Sequence, residues 1–353
     1  MRKAYKYCIN GALICGFGNA LLEIIKQSNN GPDRLFNWPQ FWTAMGKGAV
    51  VGGGVGLVTG AIVDYFNDKE KPIKTDPVLL LLANKVRLES NDPVYRILDE
   101  KARWITHLII SEFGSDLLGE PYRFGSSEKR TALKEKFDID ICIPGKSSAF
   151  SSTAVMYNDF FEFLKGLEGS NGIVRVRRQS KTIGIILLIN GTEQKIDVLP
   201  NRITRRRGNH SSGYIYVNKS GLLSRSTYTK TNPRLLNDIR LSETQKRILV
   251  VLKDWKLREN IPISSHLLQY LILDGYSYNK CRIPNSFSEK LIMVLEYIAN
   301  NIDSTYISSV ENTNNIISNI PSHQKGIIRT ACKEIVEDYE YQPNSILKHF
   351  PNY

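Results

Sequence analysis

An alternating segment at residues 137–143 is the feature that most constrains the fold of this chain. Its sequence is FDIDICI, in which acidic and apolar side chains take turns. Successive side chains of a β-strand point to opposite faces of its sheet, so the pattern predicts a strand with Asp138 and Asp140 on one face. The apolar side chains then face a core, while the two carboxylates lie side by side. A solvated strand face is the alternative interpretation of this acidic pair.

A Gly-Ser pair, Gly125 and Ser126, precedes the acidic pair in the chain and favours a functional interpretation of it. Neighbouring carboxylates repel each other unless a cation lies between them. Mg²⁺ prefers carboxylate oxygens and shares its other positions with water and substrate phosphates. Backbone N–H groups and a hydroxyl in a Gly-Ser turn suit a phosphate group. Taken alone, the pair indicates only a turn, but next to the acidic strand it indicates nucleotidyl transfer.

A third carboxylate is expected from a β-hairpin. Residues 183–189 and 194–199 are apolar runs joined by Asn190-Gly191, the strongest short-range hairpin signal. Asp197 lies in the second run, where a lone buried carboxylate is costly without a partner. We therefore expect this run to pair beside the acidic strand, so that three carboxylates share a site for two Mg²⁺ ions, with Mn²⁺ as an alternative.

Charge and cysteine content narrow the partners and the compartment. The chain has 353 residues, a formal net charge of +12 and a pI near 9.3. The charge favours an anionic partner, whether triphosphates, nucleic acid or a lipid surface, although a generally basic surface is an alternative. The five cysteines show no CxxC spacing. We interpret them as reduced thiols of a cytoplasmic chain without a zinc site.

The N-terminal part of the chain is apolar and rich in glycine. Residues 8–25 form an apolar run, and residues 48–63 carry no charge. Glycine recurs at every fourth position from Gly48 to Gly60, a spacing that permits close helix packing. A membrane-associated hairpin, a helix contact within the protein or an oligomer, and a cleaved signal peptide all stay open. Both runs are at or below the roughly 20 residues that span a bilayer.

The remaining pattern predicts an α+β fold in three parts. These are a glycine-rich apolar extension at 1–70, a catalytic core at 71–240 and a helical lobe at 241–353. A helical pattern covers 78–118 with a break at Asp92-Pro93, and Ser242 with Gln245 fits a capping box. Further helices are expected at 154–167, 243–256, 264–273, 286–301 and 323–341, and further strands at 174–178 and 214–217.

These motifs resemble those of the polymerase-β-type nucleotidyltransferase superfamily. The resemblance rests on Gly125-Ser126, on Thr131-Ala132-Leu133, on the acidic strand and on Ile196-Asp197-Val198. Within the superfamily the sequence is similar to the bacterial CD-NTases, relatives of cyclic GMP–AMP synthase and 2′–5′ oligoadenylate synthetase. Weaker likeness to that family's helical lobe is found at 252–256, 263–268 and 311–315, and the resemblance spans about residues 80–340.

The resemblance implies a polymerase-β-like core with a C-terminal helical lobe, and it assigns roles to residues. Asp138, Asp140 and Asp197 would hold two Mg²⁺ ions, and Gly125 and Ser126 would bind the β- and γ-phosphates of the donor triphosphate. Products of the family are cyclic or linear oligonucleotides that act on an effector protein in antiphage defence. ATP or dATP is the expected donor. Over the cleft, contacts to phosphate or base would come from Lys253, Lys256 and Ser265.

Other interpretations remain at the level of sequence. The fold is also used for transfer of nucleotides to an RNA end or a protein hydroxyl, and an inactive copy would act as a nucleic-acid or membrane sensor. Lys253 and Lys256 also fit a solvated helix face. The run Arg205–207 fits either a polynucleotide contact or a loop held off the surface.

Two further sets of side chains have a structural interpretation beside a functional one. Tyr214, Tyr216 and Tyr228 fit base stacking, but tyrosines that pack on strands are commoner. His266 is expected to satisfy a backbone group in the helical lobe.

Overall fold

The computed structural model describes residues 75–207, 210–219 and 226–351. The apolar runs at 8–25 and 48–63, for which membrane association and helix packing were both considered, lie outside these ranges. In the part of the chain that is described, no helix combines the length and the apolar character needed to cross a membrane.

A mixed sheet forms the centre of the core, and it has seven strands within the described residues. The strand order is β1-β2-β5-β4-β3, and β6 pairs with both β5 and β7. The β2–β5 pairing is parallel, whereas the others are antiparallel. The strands are β1 (Tyr122–Phe124), β2 (Asp138–Lys146), β3 (Ile173–Arg178), β4 (Ile183–Ile189), β5 (Thr192–Arg207), β6 (His210–Val217) and β7 (Thr227–Thr231).

The predicted hairpin is confirmed as β4 and β5. Its turn residues Asn190 and Gly191 have φ values of 51° and 78°, as the tight turn between twisted strands requires. The second strand is longer than the predicted run at 194–199, because its distal half leaves β4 and pairs with β6. Strand β7 was missed, since TYTKT carries little apolar signal.

Two helices pack against the sheet, and their ends are fixed by local sequence. Helix α2 (Pro93–Phe113) begins after Asp92, whose carboxylate accepts hydrogen bonds from the Val94 and Tyr95 N–H groups. The predicted break at Asp92-Pro93 is therefore a helix start. Helix α4 (Thr153–Lys165) buries its apolar face among the residues of α2 and β2–β5. On the acidic strand the predicted alternation is confirmed, because Ile139 and Ile141 lie in this cluster.

The C-terminal lobe has its own apolar cluster. Helix α1 (Thr75–Val86) precedes the core in the chain but packs inside this lobe. Its Asp76 carboxylate accepts hydrogen bonds from the N–H groups of Phe287 and Ser288. The domain boundaries at 70 and 240 remain a prediction.

The remaining elements lie in both parts. The other helices are α3 (Gly125–Glu128), α5 (Pro233–Asp238), α6 (Glu243–Arg258), α7 (Ser265–Tyr278), α8 (Phe287–Asn301), α9 (Ser322–Tyr341) and α10 (Ile346–His349). Strands β8 (Ser308–Ser309) and β9 (Asn312–Ile316) form one short hairpin.

The capping box predicted at the start of α6 is confirmed and can be tested. The Ser242 hydroxyl accepts from the Gln245 N–H group, and the Gln245 side chain accepts from the Ser242 N–H group. We expect Ser242→Ala to lower the free energy of unfolding by about 1 kcal/mol, measured by urea denaturation. Ser148→Ala in an exposed turn is the control, and an equal effect of the two changes would contradict the assigned role of the cap.

Candidate active site

Three carboxylates meet where β2 and β5 run in parallel. The register places Asp138 beside Lys195 and Asp140 beside Asp197. One carboxylate oxygen of each aspartate lies within 4.8 Å of the others. The pairing expected from the sequence is therefore present, and it brings together all three predicted acidic residues.

Burial and mutual repulsion shape the electrostatics of this cluster. Burial raises the pKa of Asp140 to about 8, with further contributions from the charges of Asp138 and Asp197. Burial likewise raises the pKa of Asp197. Both shifts mean that full ionisation of the cluster is unfavourable in the metal-free protein.

The donor set fits a hard divalent cation. All three candidate ligands are carboxylates, the oxygen ligands that Mg²⁺ and Mn²⁺ prefer. A bound cation would offset the repulsion that raises the pKa of Asp140. Asp138, Asp140 and Asp197 are therefore the residues that would hold the predicted metal.

Lys195 and Gln179 complete the cluster and were missed by the sequence analysis. Lys195 Nζ lies 2.7 Å from Asp197 Oδ2 and 3.5 Å from Asp138 Oδ2. Burial alone would lower the pKa of Lys195, but its contacts with the two aspartates raise it. Gln179 Nε2 donates to Asp197 Oδ1 at 2.9 Å. The lysine had a signal, since a residue two positions before Asp197 shares its face of the strand.

Gly125 is required by its contact with Asp140. It opens α3 with a φ of 84°, in the left-handed region that favours glycine. A Cβ atom at this position would lie 2.0 Å from Asp140 Oδ2, an impossible contact. Ser126 follows in the same turn, and its carbonyl accepts from the Thr131 N–H group at 2.9 Å. The predicted Gly-Ser turn therefore lies directly against the acidic cluster.

The lysines of α6 bond to backbone carbonyls. Lys253 is 7% exposed, and its Nζ donates to the Thr131 carbonyl at 2.6 Å. Burial lowers the pKa of this amine to about 8. Lys256 Nζ donates to the Ile263 carbonyl at 2.7 Å. Ser265 is half-buried at the first position of α7. Neither lysine lies on a solvated helix face, and Lys253 supports the loop that follows Ser126.

Lys129 is another cation near the acids that the sequence did not single out. Its Nζ donates to Gln269 Oε1 of α7 at 2.7 Å. Burial lowers its pKa to about 8, against the opposing effects of Asp140 and Glu311. The contact joins residues 125–131 to the helical lobe, and we call this segment the donor loop after the role that the resemblance implies. The contact is long-range, so no local sequence pattern predicts it.

A cavity of about 770 Å³ opens beside Asp140. It extends over β6 and β7 to the β8–β9 hairpin, and Glu311 and Asn312 are among its lining residues. Tyr214 and Tyr228 also line it, with ring centroids 5.4 Å apart and the rings edge to face. Tyr228 is 65% exposed. This volume is in the range of sites for small molecules.

The other predicted side chains have mixed outcomes. Tyr216 packs on Tyr157, with ring centroids 5.1 Å apart, so its structural interpretation holds. The expectation for His266 was wrong: its Nε2 is buried without a hydrogen-bond partner among the described residues, and its ring lies 5.2 Å from that of Tyr270. The run 205–207 is the end of β5 and not a loop. The side chains of that run lie outside the described part.

Comparisons with known proteins identify the class of fold. The CdnC protein of E. coli MS115-1, solved with ATP, has a TM-score of 0.58 at 14% identity over 78% of this chain and 95% of that chain. The CD-NTase CdnG of Bradyrhizobium diazoefficiens, in complex with GTP, has a TM-score of 0.58 at 15% identity, with the same coverage. The Cid1 poly(U) polymerase has a TM-score of 0.51 at 13% identity over 79% of this chain and 98% of that chain.

The chain therefore has the nucleotidyltransferase fold, and the predicted α+β core with a helical lobe is confirmed. At these identities the likeness concerns the fold alone. Comparisons with models of known families and with curated proteins find no match.

The raised pKa of Asp140 predicts a pH-dependent stability. Without metal, folded Asp140 holds its proton up to a pKa of about 8, while the unfolded chain releases it near the ordinary value of 3.8. The folded state thus binds more protons in this window, and the free energy of unfolding falls as pH rises through it. We expect Asp140→Asn in EDTA to raise the melting temperature by a few degrees more at pH 8.5 than at pH 5.

Scanning calorimetry at the two pH values measures this difference, with Asp159→Asn at an exposed position as the control. Addition of Mg²⁺ should stabilise the unmodified chain and leave Asp140→Asn unchanged. A gain that is equal at both pH values would show that the buried carboxyl does not titrate in this range.

Proposed function

We propose that this chain is a metal-dependent nucleotidyltransferase that joins nucleoside triphosphates into a short cyclic or linear oligonucleotide. One observation carries the proposal: the Gly125 turn lies against Asp140 inside a cluster of three carboxylates. A phosphate held by the turn would lie next to the cation site. The solved structures of similar fold that hold ATP and GTP support this choice of substrate class.

The residues divide the work of the transfer. The Gly125 and Ser126 segment binds the β- and γ-phosphates of the donor through its N–H groups and hydroxyl. Asp138, Asp140 and Asp197 would hold Mg²⁺, which when bound would supply charge stabilisation at the reacting phosphate and a lower pKa of the acceptor hydroxyl. The hydroxyl oxygen attacks the α-phosphorus of the donor, the bond to the β-phosphate breaks and pyrophosphate leaves. Asp197 accepts the proton of that hydroxyl, and the bond from Gln179 Nε2 holds its carboxylate in place.

The cavity beside Asp140 is the proposed place for the nucleosides. Tyr228 offers an exposed ring for stacking, and the side chain of Asn312 offers both a donor and an acceptor to a base edge. ATP or dATP is the proposed donor. In this proposal residues 71–240 carry the chemistry and residues 241–353 close one wall of the cleft. The product would act on an effector protein in antiphage defence, as the resemblance to CD-NTases implies.

Transfer of single nucleotides to an RNA end is the second candidate function. It is supported by the fold likeness to Cid1, which is described as a poly(U) polymerase. The two functions differ in the acceptor, since only the second requires an RNA primer.

Incubation of the purified full chain with each labelled NTP and dNTP, plus Mg²⁺ or Mn²⁺, tests the proposal. Products are resolved by mass, with and without an RNA primer. A phosphatase-resistant product made without primer indicates a ring, and a ladder with free ends indicates a linear oligomer. Primer extension alone supports the second function, and no product under any condition supports a sensor without activity.

The acidic cluster gives the sharpest test of the chemistry. We expect Asp138→Asn and Asp140→Asn each to reduce product formation to background while the circular dichroism spectrum stays unchanged, because a neutral amide binds a divalent cation more weakly than a carboxylate does. Asp159→Asn serves as a control for surface charge. Full turnover by the double variant would refute the assignment of these residues.

The close contact at Gly125 makes a separate prediction. We expect Gly125→Ala to reduce turnover by about 100-fold or more, because the added methyl displaces the Asp140 carboxylate and strains the φ of 84°. Initial rates at saturating triphosphate measure the effect. Gly119→Ala is the matched control, since no atom lies within 4 Å of its added Cβ. Equal rates for the two variants would contradict the role of the turn.

A further inference from the structure

A second cavity, of about 560 Å³, lies along the segment that follows Gly125 and Ser126. None of its lining residues lines the cavity beside Asp140. Its walls come from three places: the break between α1 and α2, the segment from Ser127 to Ala132, and the first two turns of α6. A ligand in this cavity would therefore touch the donor loop and the helical lobe at the same time.

Two guanidinium groups in this cavity are only partly paired within the described residues. Arg87 and Arg247 share a single carboxylate, that of Glu243, which contacts Arg87 directly and lies 3.6 Å from Arg247 Nε. Arg87 is only 9% exposed. The Nε atoms of both arginines are buried, and neither has a hydrogen-bond partner within the described residues. The Arg247 side chain is 34% exposed and lines the cavity, so a ligand with acceptor oxygens can reach its guanidinium group.

The surroundings add further cations. Arg130 lines the cavity with a φ of 57° and makes no side-chain ion pair among the described residues. An adjoining cavity of about 410 Å³ shares Arg130 and Glu128 with the first. It adds Arg240 and Lys246, which also have no ion pair in the described part of the chain. Glu89 and Glu128 oppose these charges. Both carboxylates are exposed, as are Arg130 and Arg240, so solvent screens the charges of both signs.

The ligand chemistry follows from the donors. Guanidinium groups present planar N–H forks that match phosphate oxygens. The Ser127 hydroxyl and the Asn84 amide also line the space and supply neutral hydrogen-bonding groups. A volume of about 560 Å³ holds more than a lone phosphate ion and is ample for a mononucleotide.

We propose that this cavity binds a small phosphorylated ligand of nucleotide size, at a site separate from the acidic cluster. Such a ligand bridges Arg87 and Arg247 and lies against the segment from Ser127 to Ala132. The Thr131 carbonyl in that segment already accepts from Lys253 of α6. Together with the bond from Lys129 to Gln269, this makes two contacts between the loop and the lobe, and binding adds a third. The cavity is therefore a regulatory site for the loop.

Calorimetric titration of the full chain in EDTA tests the site, with inorganic pyrophosphate, ADP and adenosine as probes. The chelator removes the cation through which the acidic cluster would hold phosphate. We expect one saturable event for pyrophosphate and for ADP, with ADP the tighter of the two, and none for adenosine. The proposal would be overturned if adenosine bound as tightly as ADP, or if neither pyrophosphate nor ADP gave a saturable event. Weaker binding of ADP than of pyrophosphate would overturn the nucleotide assignment.

Three substitutions at Arg247 and Glu243 test whether ADP binds in this cavity. Arg247→Gln should weaken ADP binding by about tenfold or more, because a charge-assisted fork is lost. Glu243→Gln should strengthen it several-fold, because both guanidinium groups then lose their shared carboxylate. Arg247→Lys keeps the charge but not the fork, so its affinity for ADP should lie between that of Arg247→Gln and that of the unmodified chain. If Arg247→Gln does not fold, the Glu243→Gln and Arg247→Lys results decide the matter.

Controls separate this site from the active site and from general charge. Ser126→Ala should leave the affinity for ADP unchanged, since Ser126 does not line this cavity. Arg282→Gln, at an exposed arginine outside all three cavities, should also leave it unchanged. If Ser126→Ala loses affinity for ADP and Arg247→Gln does not, ADP binds in the active site. Equal losses of affinity in Arg247→Gln and Arg282→Gln would mean non-specific attraction.

Discussion

The parallel pairing of β2 with β5 is the constraint on which the candidate site depends. Its register places Asp140 beside Asp197. The sheet pairing on either side keeps the two carboxylates together although they repel each other. A register shift of one residue would turn one of the two carboxylates into the core, because side chains alternate between faces. The apolar neighbours of the acids prevent that shift, since Ile139 and Ile196 are buried in the apolar core beneath the sheet.

Much of this arrangement could be predicted from local pattern. Alternation identified Asp138 and Asp140, and the Asn-Gly turn identified the hairpin that carries Asp197. Lys195 has the same period-two signal, but a pattern of carboxylates does not include it. The likeness of fold agrees with the predicted architecture, since both follow from the order of strands and helices.

What could not be predicted depends on contacts between segments far apart in the chain. Helical periodicity marks Lys253 as a residue of α6 but does not tell which neighbour covers it. In the structure it is buried against the Thr131 carbonyl, 122 positions away in the chain. The same holds for Lys129 with Gln269, and for helix α1, whose place in the lobe follows from packing and not from chain order.

These long-range contacts explain why the donor loop depends on the lobe. From Gly125 to Thr131 the chain lies against Asp140 on the core side and is bonded to Lys253 and Gln269 on the lobe side. A displacement of the lobe would therefore move the loop relative to the carboxylates. The proposed transfer requires the phosphates and the acids to be aligned within a fraction of an ångström. Under that proposal, a ligand that fixes the lobe against the loop would act on the rate without touching the reacting atoms.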